Sequence, residues 1–164
     1  MSTSDEVVKR ELRSELEQFI SHELHLLDEH QYAAWVELFA DDGIYWVPSN
    51  TDDYDPATHV SIIYNDKAGL HRRVKRLGIG RAVQEVRSRV AHQFSNTLVL
   101  DETDSEVTVR VVMVVFEVQR SRKNYYPGSC TYRLRRTDDG WRIVLKKLCL
   151  IDNDQCYEHL AFMV

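Results

Sequence analysis

The segment from about residue 105 to residue 151 has apolar side chains at alternating positions. Segments 105–120, 125–137 and 140–151 are separated by short polar turns, which predicts an antiparallel meander. In the first segment, the odd positions from 107 to 115 are all valine or methionine. The even positions at its centre are also apolar: Val112, Val114 and Phe116. Because a sheet covered by its own helices normally shows its other face to water, this second apolar face predicts a further cover, and a partner subunit is the simplest candidate.

Helical and extended patterns precede the meander. Apolar residues at spacings of three and four predict helices, and alternating or short apolar runs predict strands. The predicted elements are, in order, helix 5–27, helix 32–39, strand 44–47, strand 59–64, helix 66–77 and strand 89–101. Helices followed by a run of strands indicate the α+β class, with N-terminal helices packed on a strongly curved, mostly antiparallel mixed sheet. Such a sheet closed by helices forms a cone, and a site is expected in its cavity.

One ionisable residue falls on the apolar side of the strand predicted at 89–101. His92 shares its parity with Val90, Phe94 and, further along, Leu98 and Leu100, so this set is expected to face the core. An imidazole at that position suits general acid or base chemistry, with Asp42 or Tyr45 nearby if the first strand lines the same pocket. The alternative is a buried histidine that is hydrogen-bonded for structural reasons.

Composition narrows the function classes. The chain has 164 residues, of which 43% are hydrophobic, and this predicts a single domain over 1–164 with a flexible N-terminus at 1–4. Its formal charge of -5 gives no overall attraction to nucleic acid or to an anionic membrane. No apolar run approaches the roughly 20 residues of a spanning helix, and residues 1–11 lack the apolar core of a signal peptide. We therefore expect a cytoplasmic protein without nucleic-acid or membrane partners.

The cysteines and histidines do not form a metal motif. The three cysteines are odd in number and irregularly spaced, which predicts reduced thiols. His22, His25 and Asp28 lie at i, i+3 and i+6 of the first helix. The first and the last of them diverge by about 120°, so the three cannot meet at one metal and are expected on a solvated helix face. Cys156 and His159 match half of the ligand set of a Rieske cluster, and the chain has no second pair. No metal-binding or cofactor-binding residue is predicted.

A basic surface is predicted on an otherwise acidic chain. Seven arginine and lysine residues lie between positions 71 and 89, against one glutamate. Arg72, Arg73 and Arg76 belong to the helix predicted there. Such a surface suits an anionic substrate or the acidic surface of a partner, and an ordinary solvated face accounts for it equally well.

In their order along the chain, several short motifs resemble the β (small) subunit of bacterial aromatic-ring-hydroxylating dioxygenases, and 62–76 is most similar to the benzoate, toluate and anthranilate branch. Each motif is weak alone, and their shared order over most of the chain makes the match specific. The motifs are Leu26-Leu27-Asp28-Glu29, Tyr32, Trp35, Leu38-Phe39, Asp41-Asp42, Tyr45-Trp46-Val47-Pro48, Ser61-Ile62-Ile63-Tyr64-Asn65-Asp66, Gly69-Leu70, the run 73–76, Arg89, His92, Ser95-Asn96, Trp141-Arg142-Ile143 and Lys146-Lys147.

This resemblance implies the cone of the nuclear-transport-factor-2-like (NTF2-like, SnoaL-like) superfamily. It also implies a non-catalytic structural subunit of an oxidoreductase of aromatic hydrocarbon catabolism. The partners would be other β subunits and an α subunit, as an α3β3 hetero-oligomer or as a β3 trimer alone. The α subunit would carry the Rieske [2Fe-2S] cluster and the mononuclear iron, and would receive electrons from a reductase or ferredoxin. The residues expected in subunit interfaces are Val112, Val114, Phe116, Arg72, Arg73 and Arg76.

Two other functions remain compatible with the residues themselves. One is a stand-alone isomerase, dehydratase or cyclase of the same fold, using His92 with Asp42 or Tyr45. That function requires two or more titratable groups converging in one open cavity. The other is an orphan binding module of this fold. The family resemblance assigns no catalytic role to His92, so the first interpretation predicts no catalytic residue in this chain.

Overall fold

A computed structural model describes residues 3–51, 54–79, 88–155 and 163. Within these residues the chain forms two helices, two strands, a third helix and then four consecutive strands, in agreement with the predicted α+β class. In order, the elements are α1 (Thr3–Asp28), α2 (Tyr32–Val36), β1 (Phe39–Pro48), β2 (Ser61–Asp66), α3 (Lys67–Ile79), β3 (Arg89–Glu102), β4 (Glu106–Gln119), β5 (Arg122–Thr137) and β6 (Gly140–Leu150).

The six strands form one mixed sheet in the order β2-β1-β6-β5-β4-β3. All neighbouring pairs are antiparallel except β1 and β6, which run parallel. Helix α1 packs against β3, and α3 packs against β1 and β2, with α2 between the two helices. The first and last strands of the chain are therefore side by side near one end of the sheet, and β3 forms the opposite edge.

The core lies between the helices and one face of the sheet, which we call the inner face. On α1 the buried residues recur at the predicted helical spacing, as at Leu16, Ile20 and Leu27. On β4 the odd positions from 107 to 115 are all buried. Met163 is also buried in this core. Residues 156–162, which precede it, lie outside the described residues.

The second helix ends earlier than the predicted range 32–39 indicates. Helix α2 ends at Val36, and Phe39 already begins β1. Asp41 and Asp42, which precede the predicted strand 44–47, are part of β1. Between Phe39 and Ile44 the pairing with β6 is irregular. A Cβ atom at Gly43 would lie 2.6 Å from the carbonyl oxygen of Ile143, so the close approach of the two strands requires glycine.

The inward alternation predicted along β3 is correct only in its first half. Val90, His92 and Phe94 are partly buried on the inner face, but Leu98 and Leu100 are each 49% exposed. Asn96 has a positive φ of 56°, and the register with β4 shifts between Ser95 and Leu98. This β-bulge moves Leu98 and Leu100 to the outer face, so the prediction that they face the core is wrong.

Candidate functional site

The three residues of the alternative enzyme site have separate surroundings. His92 is on β3, whereas Asp42 and Tyr45 are on β1, four strands away in the sheet order. The carboxylate of Asp42 is exposed and accepts two hydrogen bonds of 2.9 Å from the guanidinium of Arg135. This pairing lowers the pKa of Asp42. Tyr45 is fully buried against Trp35, with the ring centroids 5.6 Å apart. Each of the three is thus engaged with a different neighbour.

His92 is paired with Asp28, the last residue of α1. Its Nδ1 lies 2.7 Å from Asp28 Oδ1, and the same oxygen accepts the main-chain N–H of His92 at 3.0 Å. The imidazole is fully buried, whereas the Asp28 side chain is 28% exposed. We call this pair the Asp28–His92 dyad. It connects the end of α1 to the edge strand β3.

A fully buried ion pair lies in the core. Glu23 of α1 and Lys146 of β6 are both fully buried, with Lys146 Nζ 2.7 Å from Glu23 Oε1. The indole of Trp35 donates to the same oxygen at 2.5 Å, and the hydroxyl of Tyr132 donates to Oε2 at 3.0 Å. Every oxygen of this carboxylate therefore has a donor. A buried ion pair persists when its remaining hydrogen-bonding capacity is satisfied in this way.

Aromatic rings and a thiol surround that ion pair. The ammonium of Lys146 lies 5.7–5.8 Å from the ring centroids of Trp35, Tyr45 and Tyr132, which is within the range of cation–π attraction. Burial raises the pKa of the Cys130 thiol to about 12 and raises that of Tyr132 as well. Both groups stay protonated at neutral pH. At this centre of the core, the charges of Glu23 and Lys146 compensate each other and neither side chain is exposed. The arrangement suits a structural role better than proton transfer with a substrate.

A third polar cluster lies toward the end of β4. Glu117 is buried and accepts hydrogen bonds from Ser88 at 2.5 Å, from Asn124 at 3.0 Å and from the hydroxyl of Tyr126 at 3.1 Å. Burial, together with the neighbouring Glu117 carboxylate, raises the pKa of Tyr126 to about 12. The cluster joins the start of β3 to the β4–β5 hairpin and leaves both oxygens of the carboxylate satisfied.

The outer face of the sheet carries the apolar residues predicted for an interface. Val112 is 42% exposed and Phe116 is 45% exposed, with Val114 half-buried between them. Phe116 faces Tyr125 on β5, which is itself largely exposed. Leu98, displaced outward by the bulge, adds to the same face. We call these five residues the outer apolar patch.

The predicted basic residues occupy different positions on α3. Arg72 and Arg76 are exposed, whereas Arg73 is half-buried and its Nε donates to the sulfur of Met163 at 3.3 Å. Burial lowers the pKa of Arg73. Arg81 and Arg87 of the predicted surface lie outside the described residues. The basic face of α3 therefore consists of Arg72, Lys75 and Arg76, whereas Arg73 contacts Met163.

The described residues include no group of three or more histidine, cysteine or acidic side chains placed to hold a metal. His22 and His25 are exposed on α1, while Asp28 turns to His92. Within the described part of the chain, no helix is both long and apolar enough to cross a membrane.

Glu23 and Lys146 occupy sequence positions that the periodicity of their elements assigns to the core, although a search for apolar residues alone does not find them. Glu23 is three residues after Ile20 and four before Leu27, so it lies on the buried stripe of α1. Lys146 shares its strand parity with Leu148 and Leu150, which are buried. A glutamate and a lysine at core positions of two different elements are expected to pair, because neither is buried alone at low cost.

Comparisons with known proteins agree on one family. The family described as the ring hydroxylating beta subunit matches residues 22–155 of this chain. The small oxygenase component of the p-cumate 2,3-dioxygenase system of Pseudomonas putida is 35% identical over 150 residues, covering 90% of this chain and 83% of that protein.

Among solved structures, one is a beta subunit of this kind and another shows the same fold. The beta subunit of benzoate 1,2-dioxygenase from Burkholderia mallei superposes with a TM-score of 0.75 at 25% identity, covering 85% of this chain and 91% of that chain. An NTF2-like protein with a cystatin-like fold from Novosphingobium aromaticivorans superposes with a TM-score of 0.64 at 22% identity, covering 92% of this chain and 91% of that chain. The second comparison confirms the predicted NTF2-like fold. The chain therefore belongs to the family of ring hydroxylating beta subunits.

Proposed function

We propose that this chain is the non-catalytic beta subunit of the terminal oxygenase of an aromatic-ring-hydroxylating dioxygenase, acting in the degradation of aromatic compounds. The family match over residues 22–155 carries this proposal. The relatives that support it are small or beta subunits of dioxygenases for p-cumate and benzoate. The separate surroundings of His92, Asp42 and Tyr45 favour this role over a stand-alone isomerase, dehydratase or cyclase.

In this proposal the redox groups belong to the alpha subunit. A Rieske cluster needs two cysteine–histidine pairs, and a mononuclear iron site needs convergent histidine and carboxylate ligands. The described residues do not fit either group, because His22 and His25 face solvent while Asp28 is hydrogen-bonded to His92. The alpha subunit would receive its electrons from a reductase or ferredoxin. The assembly would work in the cytoplasm.

The outer apolar patch would be the contact with a second copy of this chain. The valine and phenylalanine side chains of β4 are held in a regular strand between two neighbours, so little further ordering is needed on association. Exposed apolar patches of this kind mark association surfaces. Repetition of the contact around a threefold axis would give a β3 trimer and, with three alpha subunits, an α3β3 hexamer. Val112, Val114 and Phe116 would be the buried centre.

The basic face of α3 would instead meet an acidic surface of the alpha subunit. Arg72 and Arg76 are exposed on one helix, within reach of carboxylates on a docked partner. Arg73 would contribute indirectly, by holding Met163 against the core next to that face.

The decisive experiment is light scattering of the purified chain, alone and after co-expression with the alpha subunit of the same dioxygenase. We expect a trimer alone and a complex with equal numbers of the two chains. Val112→Asp places a carboxylate at the buried centre of the contact and should weaken trimer formation at least tenfold, because a buried unpaired charge costs several kcal/mol.

The matched control is Val60→Asp. Val60 is 85% exposed and lies before β2, outside the outer apolar patch, so this variant should remain trimeric. A monodisperse monomer that also fails to bind the alpha subunit would refute the proposed function. A trimer that V112D leaves intact would refute only the proposed contact.

A further inference from the structure

Exposed cations border the outer apolar patch at both of its ends. Arg110 is the register partner of Leu98, and at the other end the cations lie beside and beyond position 118, two residues after Phe116 in β4. Among the described residues, no carboxylate forms an ion pair with any of them. We call these residues the basic rim: Arg89, Arg110, Arg120, Arg122 and Lys123.

Exposed acids lie at the far end of the same strands. The β3–β4 turn and the β5–β6 turn are neighbours there, because β4 and β5 are antiparallel and stay in register along their length. The arginines nearby already have partners, since Arg135 pairs with Glu106 and Arg136 pairs with Glu15. No described cation forms an ion pair with the acids of the two turns. We call these acids the acidic turns: Asp101, Glu102, Asp104, Asp138 and Asp139.

The basic rim restricts which surface can cover the outer apolar patch. If the patch of one copy met the patch of another, the two basic rims would face each other, and like charges at a contact cost several kcal/mol. A threefold arrangement avoids this cost because its contacts are heterologous, so each copy offers two different surfaces to its two neighbours. The covering surface then needs exposed acids beside an apolar side chain. The acidic turns have this composition, because Leu100 next to Asp101 is 49% exposed.

We propose, on the basis of the association between copies proposed above, that the acidic turns of one copy cover the basic rim and the outer apolar patch of the next. The β4–β5 hairpin suits this contact because it projects from the sheet. The described pairing of β5 with β6 starts at Gly128, so 122–127 extend past the end of β6. The two surfaces lie at opposite ends of the strands, which lets one copy contact two different neighbours.

The test is sedimentation velocity of the full chain and of two charge-reversal variants. Arg122→Glu with Lys123→Glu reverses part of the basic rim, and Asp101→Lys with Asp104→Lys reverses part of the acidic turns. We expect each variant alone to associate at least tenfold more weakly than the parent chain, because two attractions become repulsions. Mixed in equal amounts, the two variants should associate with each other at about the parent affinity, since every surface of one variant then meets the opposite charge on the other.

A chain that carries both reversals should also return to about the parent affinity, because its two surfaces are again complementary. This fourfold variant keeps the test decisive if one of the two double variants folds poorly. Lys9→Glu with Arg10→Glu is the matched control, since it makes the same change of charge as the reversal of the basic rim on exposed residues of α1. It should associate as the parent chain does.

Three results would each overturn this contact: a parent chain that does not associate, double variants that associate like the parent, or a mixture and a fourfold variant that stay as weak as the double variants. Double variants that keep the parent self-association but no longer bind the alpha subunit would show that these surfaces face that subunit instead. The proposed function survives all of these results as long as the parent chain binds the alpha subunit, so the two failures are distinguishable.

Discussion

At the scale of single residues, Lys146 shows how this core holds a charge. Its ammonium is fully buried and lies 2.7 Å from Glu23 Oε1, with three aromatic rings around it. Neither charge can reach water, so each depends on the other for compensation. An ion pair of this kind adds little net stability compared with apolar residues of the same shape, but loss of one partner alone is costly.

Lys146→Met should lower the free energy of unfolding by about 3–5 kcal/mol, because it leaves the Glu23 carboxylate buried without its counter-charge. Glu23→Gln combined with Lys146→Met should cost less than the sum of the two single changes by about 1–3 kcal/mol. Urea denaturation of the three variants measures both quantities.

The control for this cycle is Leu148→Met, an apolar change at a fully buried position on the same strand, which should cost less than about 1.5 kcal/mol. If K146M is no more destabilising than L148M, the buried pair does not have the structural role described here.

The residue scale is also where prediction from sequence is weakest. The parity of His92 correctly indicates an inward-facing imidazole, but its partner is Asp28, which the pattern of α1 assigns to a solvated face. A helical pattern specifies which side of a helix is apolar, whereas the contact between Asp28 and His92 depends on where α1 ends relative to β3. That relation is set by packing between elements distant in the chain.

At the scale of elements, the bulge in β3 decides which side chains reach the outer face. Asn96 occupies the left-handed region with a φ of 56°, and beyond it Thr97 and Val99 turn inward while Leu98 and Leu100 turn outward. Alternation alone cannot reveal this change, because both parities of 97–100 contain apolar residues. Asparagine adopts this conformation more readily than most residues, which is the only local signal.

Asn96→Val should destabilise the chain by about 1–3 kcal/mol, because a β-branched residue is strongly disfavoured at positive φ. Asn96→Gly should leave stability close to that of the parent chain, since glycine has no Cβ to clash there. Thermal or urea unfolding of both variants tests the difference.

Ser95→Val is the control for Asn96→Val. It introduces the same side chain one position earlier, at an exposed residue of the strand that does not have a positive φ. If N96V unfolds like S95V, the positive φ at Asn96 is not a constraint on this strand.

The long elements are predicted well for a physical reason. The helix expected at 5–27 and the strands expected at 105–120 and 140–151 each match an observed element within a few residues, because many periodic side chains support each of them. The strand expected at 125–137 begins at Arg122, since the turn before it is tighter than expected and Gln119 pairs directly with Arg122. Such boundaries depend on turn geometry at one or two residues, such as Arg120 with its positive φ of 55°.

At the scale of the whole molecule, the two faces of the sheet differ in the side chains that they expose to solvent. The inner face is covered by the helices, while the outer face carries the outer apolar patch and α3 presents Arg72 and Arg76 to solvent. The pattern of apolar positions predicts the second exposed face correctly. The occupant of that face is a property of other chains, so it remains a proposal.

Arg72→Glu combined with Arg76→Glu should make the complex with the alpha subunit dissociate at lower salt than the parent complex, because two attractions at the contact become repulsions. Light scattering across a series of salt concentrations measures the midpoint of dissociation. Added salt screens such contacts over a Debye length of about 10 Å at 0.1 M.

Lys9→Glu combined with Arg10→Glu provides the same change of charge on exposed residues of α1, and the complex should retain its parent midpoint. Equal midpoints for the two double variants would show that the basic face of α3 does not contact the alpha subunit.

The parallel pairing of β1 with β6 has a consequence for how the chain folds during its synthesis. Strands β3, β4 and β5 each pair with the strand that follows them, so each hairpin can close as it leaves the ribosome, which adds about 5–20 residues per second. Strand β1 is made early, yet Ile44 finds its partner Leu145 only when nearly the whole chain is available. Docking of this first strand onto the last is therefore expected to be the slow step of folding. A nascent chain that stalls before β6 would leave Tyr45 and Trp46 without their parallel neighbours.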